Sequence, residues 1–287
     1  MLKATLPRGF ILSACALLFL FTCADARQTQ GTRGGTYPPV TIPNTEVRTL
    51  KSAATGRDYD IYVFFPDDYS KGTRKFPVVY ALDGQWDFKL LASVYGGLFY
   101  DKFVPEMMVV GVTYHGDNPD YNALRAMDYT TKAVPLQPGS GGGPKFLTFL
   151  KTELIPFVES NYRADPARRV LLGSSLGGLF TLYAMLNEPR FFYGYVAASP
   201  AVNYADGFAF MQEADYAAKH KDLPARLFIS VGDSELLTGP VKEFTRVISG
   251  RGYEGLKVEG RVIEGERHAG NKPEAFNRGL RFVFKED

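Results

Sequence analysis

The chain has 287 residues, 33 Lys and Arg against 31 Asp and Glu, and a formal net charge of +2. Near-neutral balance gives no electrostatic footing for a nucleic-acid partner, and 45% hydrophobic residues are ample for a large buried core. Only two cysteines are present, Cys15 and Cys23.

Lys3 and Arg8 precede an almost wholly apolar run from Phe10 to Phe21, and Ala24-Asp25-Ala26 follows. This is the pattern of a secretory signal ending in an A-x-A cleavage site, so residues 1–26 are expected to be removed and the mature chain to start at Arg27. The apolar run is short for a bilayer span, and no second one follows. Phe21 and Thr22 fit lipid attachment at Cys23 poorly. Both cysteines lie in this leader, leaving neither a disulfide nor a thiol nucleophile nor a Cys-based zinc site. An exported location, periplasmic or extracellular, is the expectation.

Residues 27–37 read as a flexible linker and 38–287 as one domain. Thr45–Leu50 and Tyr59–Phe65 carry β-formers and are expected to pair antiparallel. Phe76–Leu82 and Glu106–Val112 are continuous apolar runs, as strands buried on both faces should be. Lys145–Tyr162 repeats apolar residues at helical spacing, with a kink expected at Pro156. Arg169–Leu172, Phe192–Ala198, Arg226–Val231 and Leu256–Ile263 read as strands. Leu179–Leu186, Pro240–Ile248 and Pro273–Lys285 read as helices. This alternation predicts an α/β fold: a mostly parallel twisted sheet with helices on both faces. Gly139-Ser-Gly-Gly-Gly-Pro-Lys145 lacks the ending of a phosphate loop and reads as a flexible loop.

Gly173-Ser-Ser-Leu-Gly177 lies between a strand and a helix, the setting a G-x-S-x-G nucleophile turn requires. Ser175 would project from the sheet edge, and the glycines two before and two after it would avoid collisions with neighbouring elements. A serine hydroxyl needs a base, itself oriented by an acid. Of three histidines, His115 precedes Ser175, His220 sits in a charged stretch, and His268 follows the last strand. The acid is expected just past the penultimate strand, where Asp233 and Glu235 are both candidates; Asp233 also suits capping of the Gly232 turn. The amides of Leu176 and Gln85 are candidate oxyanion donors, Gly84 letting the backbone turn towards the site. Trp86, Tyr114, Arg125 and Tyr129 fall in segments expected as loops near the carboxyl ends of strands. There they are candidates for binding an aromatic or anionic acyl group. A serine esterase acting through an acyl-enzyme is the reading; an acyltransferase with the same residues and a non-catalytic binding module are the alternatives. No feature specifies an oligomeric state.

Several motifs together resemble the bacterial Putative esterase branch of the α/β hydrolases, which includes siderophore esterases, S-formylglutathione hydrolases and mycolyltransferases. They are Tyr80-Ala-Leu-Asp-Gly-Gln85, Arg125-Ala-Met-Asp-Tyr-Thr130, Phe146-Leu-Thr-Phe-Leu-Lys-Thr-Glu-Leu-Ile-Pro156, Gly173-Ser-Ser-Leu-Gly-Gly-Leu179, the Gly232 loop and Gly265-Glu-Arg-His268. The resemblance implies an eight-stranded sheet, a small ester substrate such as a catecholate siderophore ester, no cofactor, Glu235 as the acid and Gln85 as an oxyanion donor. Many relatives carry His where this chain has Ser174, a departure expected to alter the pocket wall.

Overall fold

Eight strands run in the order β1-β2-β4-β3-β5-β6-β7-β8 across one sheet of the computed structural model, which describes residues 40–285. The expected leader and linker lie outside the described residues. β1 (Thr45–Lys51), β2 (Asp58–Phe64) and β4 (Met108–Tyr114) pair antiparallel. The remaining strands, β3 (Phe76–Ala81), β5 (Ala164–Ser174), β6 (Gly194–Ala198), β7 (Arg226–Gly232) and β8 (Lys257–Ile263), pair parallel.

Every residue of β3 is buried, and alternation decides which face each side chain serves. Val78 and Tyr80 join one apolar cluster, Val79 and Ala81 the other. On the second face lie α1 (Gly84–Tyr100) and α8 (Lys272–Phe284), supplying Phe88, Leu91 and Leu98, and Phe276, Leu280 and Val283. The opposite face is covered by α2 (Tyr121–Tyr129), α3 (Gly143–Phe149), α4 (Ile155–Asn161), α5 (Leu176–Asn187), α6 (Tyr204–Ala217) and α7 (Thr238–Gly250). This is the mostly parallel α/β-hydrolase architecture that strand–helix alternation and the motifs predicted.

Three local outcomes differ from the sequence reading. The expected kink at Pro156 takes the form of a π-helical turn at Leu150–Leu154, with Ile155 N–H donating to the Leu150 carbonyl. Proline has no N–H for the ordinary ladder and crowds the carbonyl four residues back; a wider turn relieves both. The glycine-rich run is not a free loop. Gly142 N–H donates to Met127 O at 2.8 Å and Gly143 N–H to Thr130 O at 2.8 Å. A Cβ on Gly142 would stand 2.6 Å from Met127 O, and one on Gly143 2.9 Å from Thr130 O. These glycines let the segment lie directly on the end of α2.

Finally, Asp83–Trp86 is not a simple turn, and the segments expected as loops around Trp86, Arg125 and Tyr129 are helical. Gly84 opens α1, Trp86 lies in its first turn, and Arg125 and Tyr129 belong to α2. Leu91, Tyr95 and Leu98 do repeat at helical spacing, but Gly96 and Gly97 dilute the helical signal.

Candidate active site

Ser175 caps α5 with φ 59° and ψ −118°, a conformation that strains any side-chain-bearing residue. Backbone packing enforces it. A Cβ on Gly173 would lie 2.4 Å from Gly177 O, and one on Gly178 3.0 Å from the Pro200 Cα. Ser175 N–H donates to Ala198 O at 3.0 Å, and its carbonyl accepts from Ala201 N–H at 3.0 Å, tying the turn to the end of β6. Ser175 is half-buried.

Gly177 serves a different contact. A Cβ there would meet the Asp83 carboxylate at 3.3 Å and the Leu82 side chain at 3.4 Å. Its absence lets the first turns of α1 and α5 lie side by side. Gly84 does the same against the sheet: a Cβ would be 2.9 Å from the Gly111 carbonyl carbon of β4. Leu176 and Gln85 thus sit in neighbouring first turns, where amides have no partner within the helix and the helix dipole adds positive potential. The Gln85 side chain is held by Thr113, whose hydroxyl donates to Oε1 at 2.8 Å.

Past β7, Glu235 is 3% exposed and its Oε2 lies 2.6 Å from His268 Nδ1. Its other oxygen accepts from Gly232 N–H at 2.7 Å and from the Ser199 hydroxyl at 2.6 Å. Asn271 Nδ2 in turn donates to Ser199 Oγ at 2.7 Å and to the His268 carbonyl at 3.0 Å. Ser199 and Asn271 are fully buried. The imidazole is 45% exposed and faces solvent from a rigid polar base. A Cβ on Gly232 would lie 2.3 Å from Glu266 O, so that glycine admits the His268 loop.

Asp233 takes the other position. It accepts from Gly265 N–H at 2.9 Å and from the Ser234 hydroxyl at 2.8 Å, and these bonds hold its carboxyl below the usual range. It caps the β8 turn, and of the two acids it is Glu235 that bonds the His268 imidazole. Ser175, Glu235 and His268 therefore lie past the carboxyl ends of β5, β7 and β8, at one edge of the sheet, around the end of β6. His115 follows the end of β4 and lies 2.9 Å from Asp60, and His220 stacks on Tyr216.

The four expected substrate contacts divide. Trp86 is 41% exposed, beside Tyr121 and with the Arg125 guanidinium 5.1 Å from its ring centre. Arg125 does not offer its fork to solvent: it grips Asp83 through two bonds of 2.5 and 2.8 Å. Tyr129 is buried, its hydroxyl accepting from Asp83 N–H, and Tyr114 is buried as well. Arg125 and Tyr129 hold Asp83 at the start of α1, and Arg125 supplies the counter-charge that this residue, at φ 58° and with its carboxyl pushed up by burial, requires there. Ser174 likewise points into the protein and is 1% exposed.

Sequence reasoning passed over Ser199, Asn271, Asp83, Asp87 and Lys272. The last two form a part-buried ion pair at 2.8 Å between α1 and α8. Asp87 is two residues past Gln85 and Lys272 four past His268, a separation of 185 residues that no local pattern discloses. Among the described residues no group of three or more His, Cys, Asp or Glu side chains is placed to hold a metal ion, and no helix is long and apolar enough to cross a membrane.

The fold, together with the family match and the relatives, defines an α/β-hydrolase-fold carboxylic ester hydrolase. The chain belongs to the Putative esterase family, whose model matches residues 52–239. It is 27% identical over 279 residues to the ferri-bacillibactin esterase BesA of Bacillus subtilis, covering 90% of this chain and 96% of that protein. The apo-salmochelin esterase of Escherichia coli O6:H1 is 33% identical over 156 residues, 51% of this chain and 48% of that one. Among solved structures, the BES protein of Bacillus cereus superposes with a TM-score of 0.78 at 25% identity, over 88% of this chain and 99% of the other. The fold is shared by the siderophore hydrolase EstA of Aspergillus nidulans, with a TM-score of 0.75 at 21% identity over 87% and 98% of the two chains.

Burial pushes the Asp87 carboxyl up to about 6, against the pull of Lys272. A raised acid contributes stability that is complete below the ordinary carboxylate pKa and is lost as pH climbs through about 6. Asp87→Asn abolishes this dependence. The unfolding free energy of the variant relative to the parent should therefore move in its favour between pH 4 and pH 7, by up to about 3 kcal/mol. Denaturant unfolding at the two pH values measures this, and an unchanged difference would refute it.

Proposed function

We propose that this protein is an exported serine esterase that hydrolyses an aryl-acyl ester of the siderophore type. The observation carrying the catalytic reading is the 2.6 Å pair between His268 and Glu235, set at the same sheet edge as the strained Ser175 turn. In the proposed cycle Ser175 Oγ attacks the ester carbonyl while His268 Nε2 takes the hydroxyl proton. Glu235 fixes the tautomer with Nδ1–H and stabilises the imidazolium. The amides of Leu176 and Gln85 donate to the oxyanion. His268 returns the proton to the leaving alcohol, and water then attacks the acyl-enzyme by the reverse sequence.

Support for the substrate class comes from the siderophore esterases among the relatives and from Trp86, an exposed indole at the first turn of α1. A flat aromatic acyl group would lie against that ring. Export is supported by the leader pattern of residues 1–26.

Ser175→Ala should lower turnover on the order of a millionfold and abolish labelling by a fluorophosphonate. Glu235→Gln should impair hydrolysis far more than Asp233→Asn; the reverse order would transfer the acid role to Asp233. Comparing a catecholate triester with short aliphatic esters tests the substrate class. The expected outcome is a higher kcat/KM for the triester, falling in Trp86→Ala, and equal values would reject it. Mass analysis of the chain recovered outside the cytoplasm should show a first residue of Arg27; a chain that retains Met1 in the cytoplasm would overturn export.

A further inference from the structure

At the opposite edge of the sheet lies a cleft of about 1030 Å³, walled by the end of α1, by α8 and by the first residues of β7 and β8. Arg226 and Lys257 begin those two strands, whereas Glu235 and His268 lie past their far ends. Seven residues of strand separate the two sites by roughly 20 Å. The cleft is thus no extension of the candidate active site.

Its lining is one-sided in charge. Lys102, Arg168, Arg261, Arg278, Arg281 and Lys285 reach it together with the two strand-start cations, and among the described residues Glu259 is the single acid in the lining. For a chain of net charge +2, that is a strong local concentration. Two of the acids at hand are already committed, Glu259 to Arg261 at 2.8 Å and Glu274 to Arg278 at 2.6 Å. Lys102, Arg168, Arg281 and Lys285 make no ion pair among the described residues. Instead the Arg281 guanidinium stands 3.7 Å from the Phe103 ring centre, and that of Arg168 lies 5.6 Å from Phe284 and 5.7 Å from Tyr193. A ring beneath a guanidinium restrains it while leaving its N–H edges available for an oxyanion.

We propose that this cleft binds a ligand carrying two or more clustered phosphate groups. Several cations distributed along a long cleft suit a chain of charges better than a single anion. Each phosphate offers up to two charges and three acceptor oxygens, which the planar forks of Arg168 and Arg281 can engage in pairs. The phosphates can belong to a soluble polyphosphate or to phospholipid headgroups, and two arms of one experiment distinguish these sources.

The full chain is titrated calorimetrically with tripolyphosphate and, separately, sedimented with vesicles of phosphatidylglycerol or of phosphatidylcholine. Each measurement is repeated with Arg168→Gln/Arg281→Gln and with the control Lys51→Gln/Lys145→Gln, which removes equal charge from exposed lysines of β1 and α3. Hydrolysis of a short ester, unchanged in all three proteins, verifies folding independently of the cleft. Tripolyphosphate binding weakened at least tenfold in the arginine variant alone supports the proposal with a soluble ligand. The same selective loss on phosphatidylglycerol, without binding to phosphatidylcholine, supports it with a lipid. Absence of binding in both arms, or equal weakening in the arginine and lysine variants, overturns it.

Discussion

Contact of Gly173 with Gly177, backbone on backbone, is the constraint around which this protein is arranged. The 2.4 Å that would separate a Gly173 Cβ from the Gly177 carbonyl leaves room for hydrogen alone. The chain must therefore leave β5 through a positive φ at Ser175 and enter α5 at once. That strain is sustained by backbone bonds to Ala198 and Ala201 on one side, and by the buried sheet below. Leu82, Asp83 and Pro200 then approach the start of α5 within van der Waals distance, so the strand ends on either side are set by the same turn.

Around that turn, buried charge acts as a framework rather than as a surface for ligands. Arg125 neutralises Asp83, and Lys272 neutralises Asp87, joining α2 and α8 to the first turn of α1. Each carboxyl is pushed up by burial, which expresses the cost of holding it there. On the other side, Ser199, Asn271 and Gly232 supply the bonds that orient Glu235 towards His268. An imidazole resting on a fully bonded carboxylate keeps one tautomer and one ring orientation. The polar network thus limits motion where the proposed chemistry needs a fixed geometry.

Much of the fold was legible because strand and helix periodicities are local. β3 reads as a strand buried on both faces and α8 as an amphipathic helix from a handful of residues each. The nucleophile-type turn is equally local, since five residues specify it. Legibility failed where two distant segments had to meet. Arg125 and Tyr129 suggested a ligand surface because their neighbour Asp83 lies more than forty positions earlier in the chain. The glycine run at 139–143 suggested mobility, whereas close approach to the end of α2 is what requires glycine there.

By itself, the sequence determined the α/β architecture, the strained turn at Ser175, and a short set of candidates for its partners. Those features depend on residue type and near-neighbour spacing. Tertiary structure decided that Glu235 rather than Asp233 bonds His268, because a two-position difference in a loop becomes a choice between two opposite directions. It also decided that Arg125 serves Asp83, and that basic residues scattered from Lys102 to Lys285 surround one cleft. Net charge conceals such a cluster, since electrostatic potential depends on positions in space and a count of residues does not.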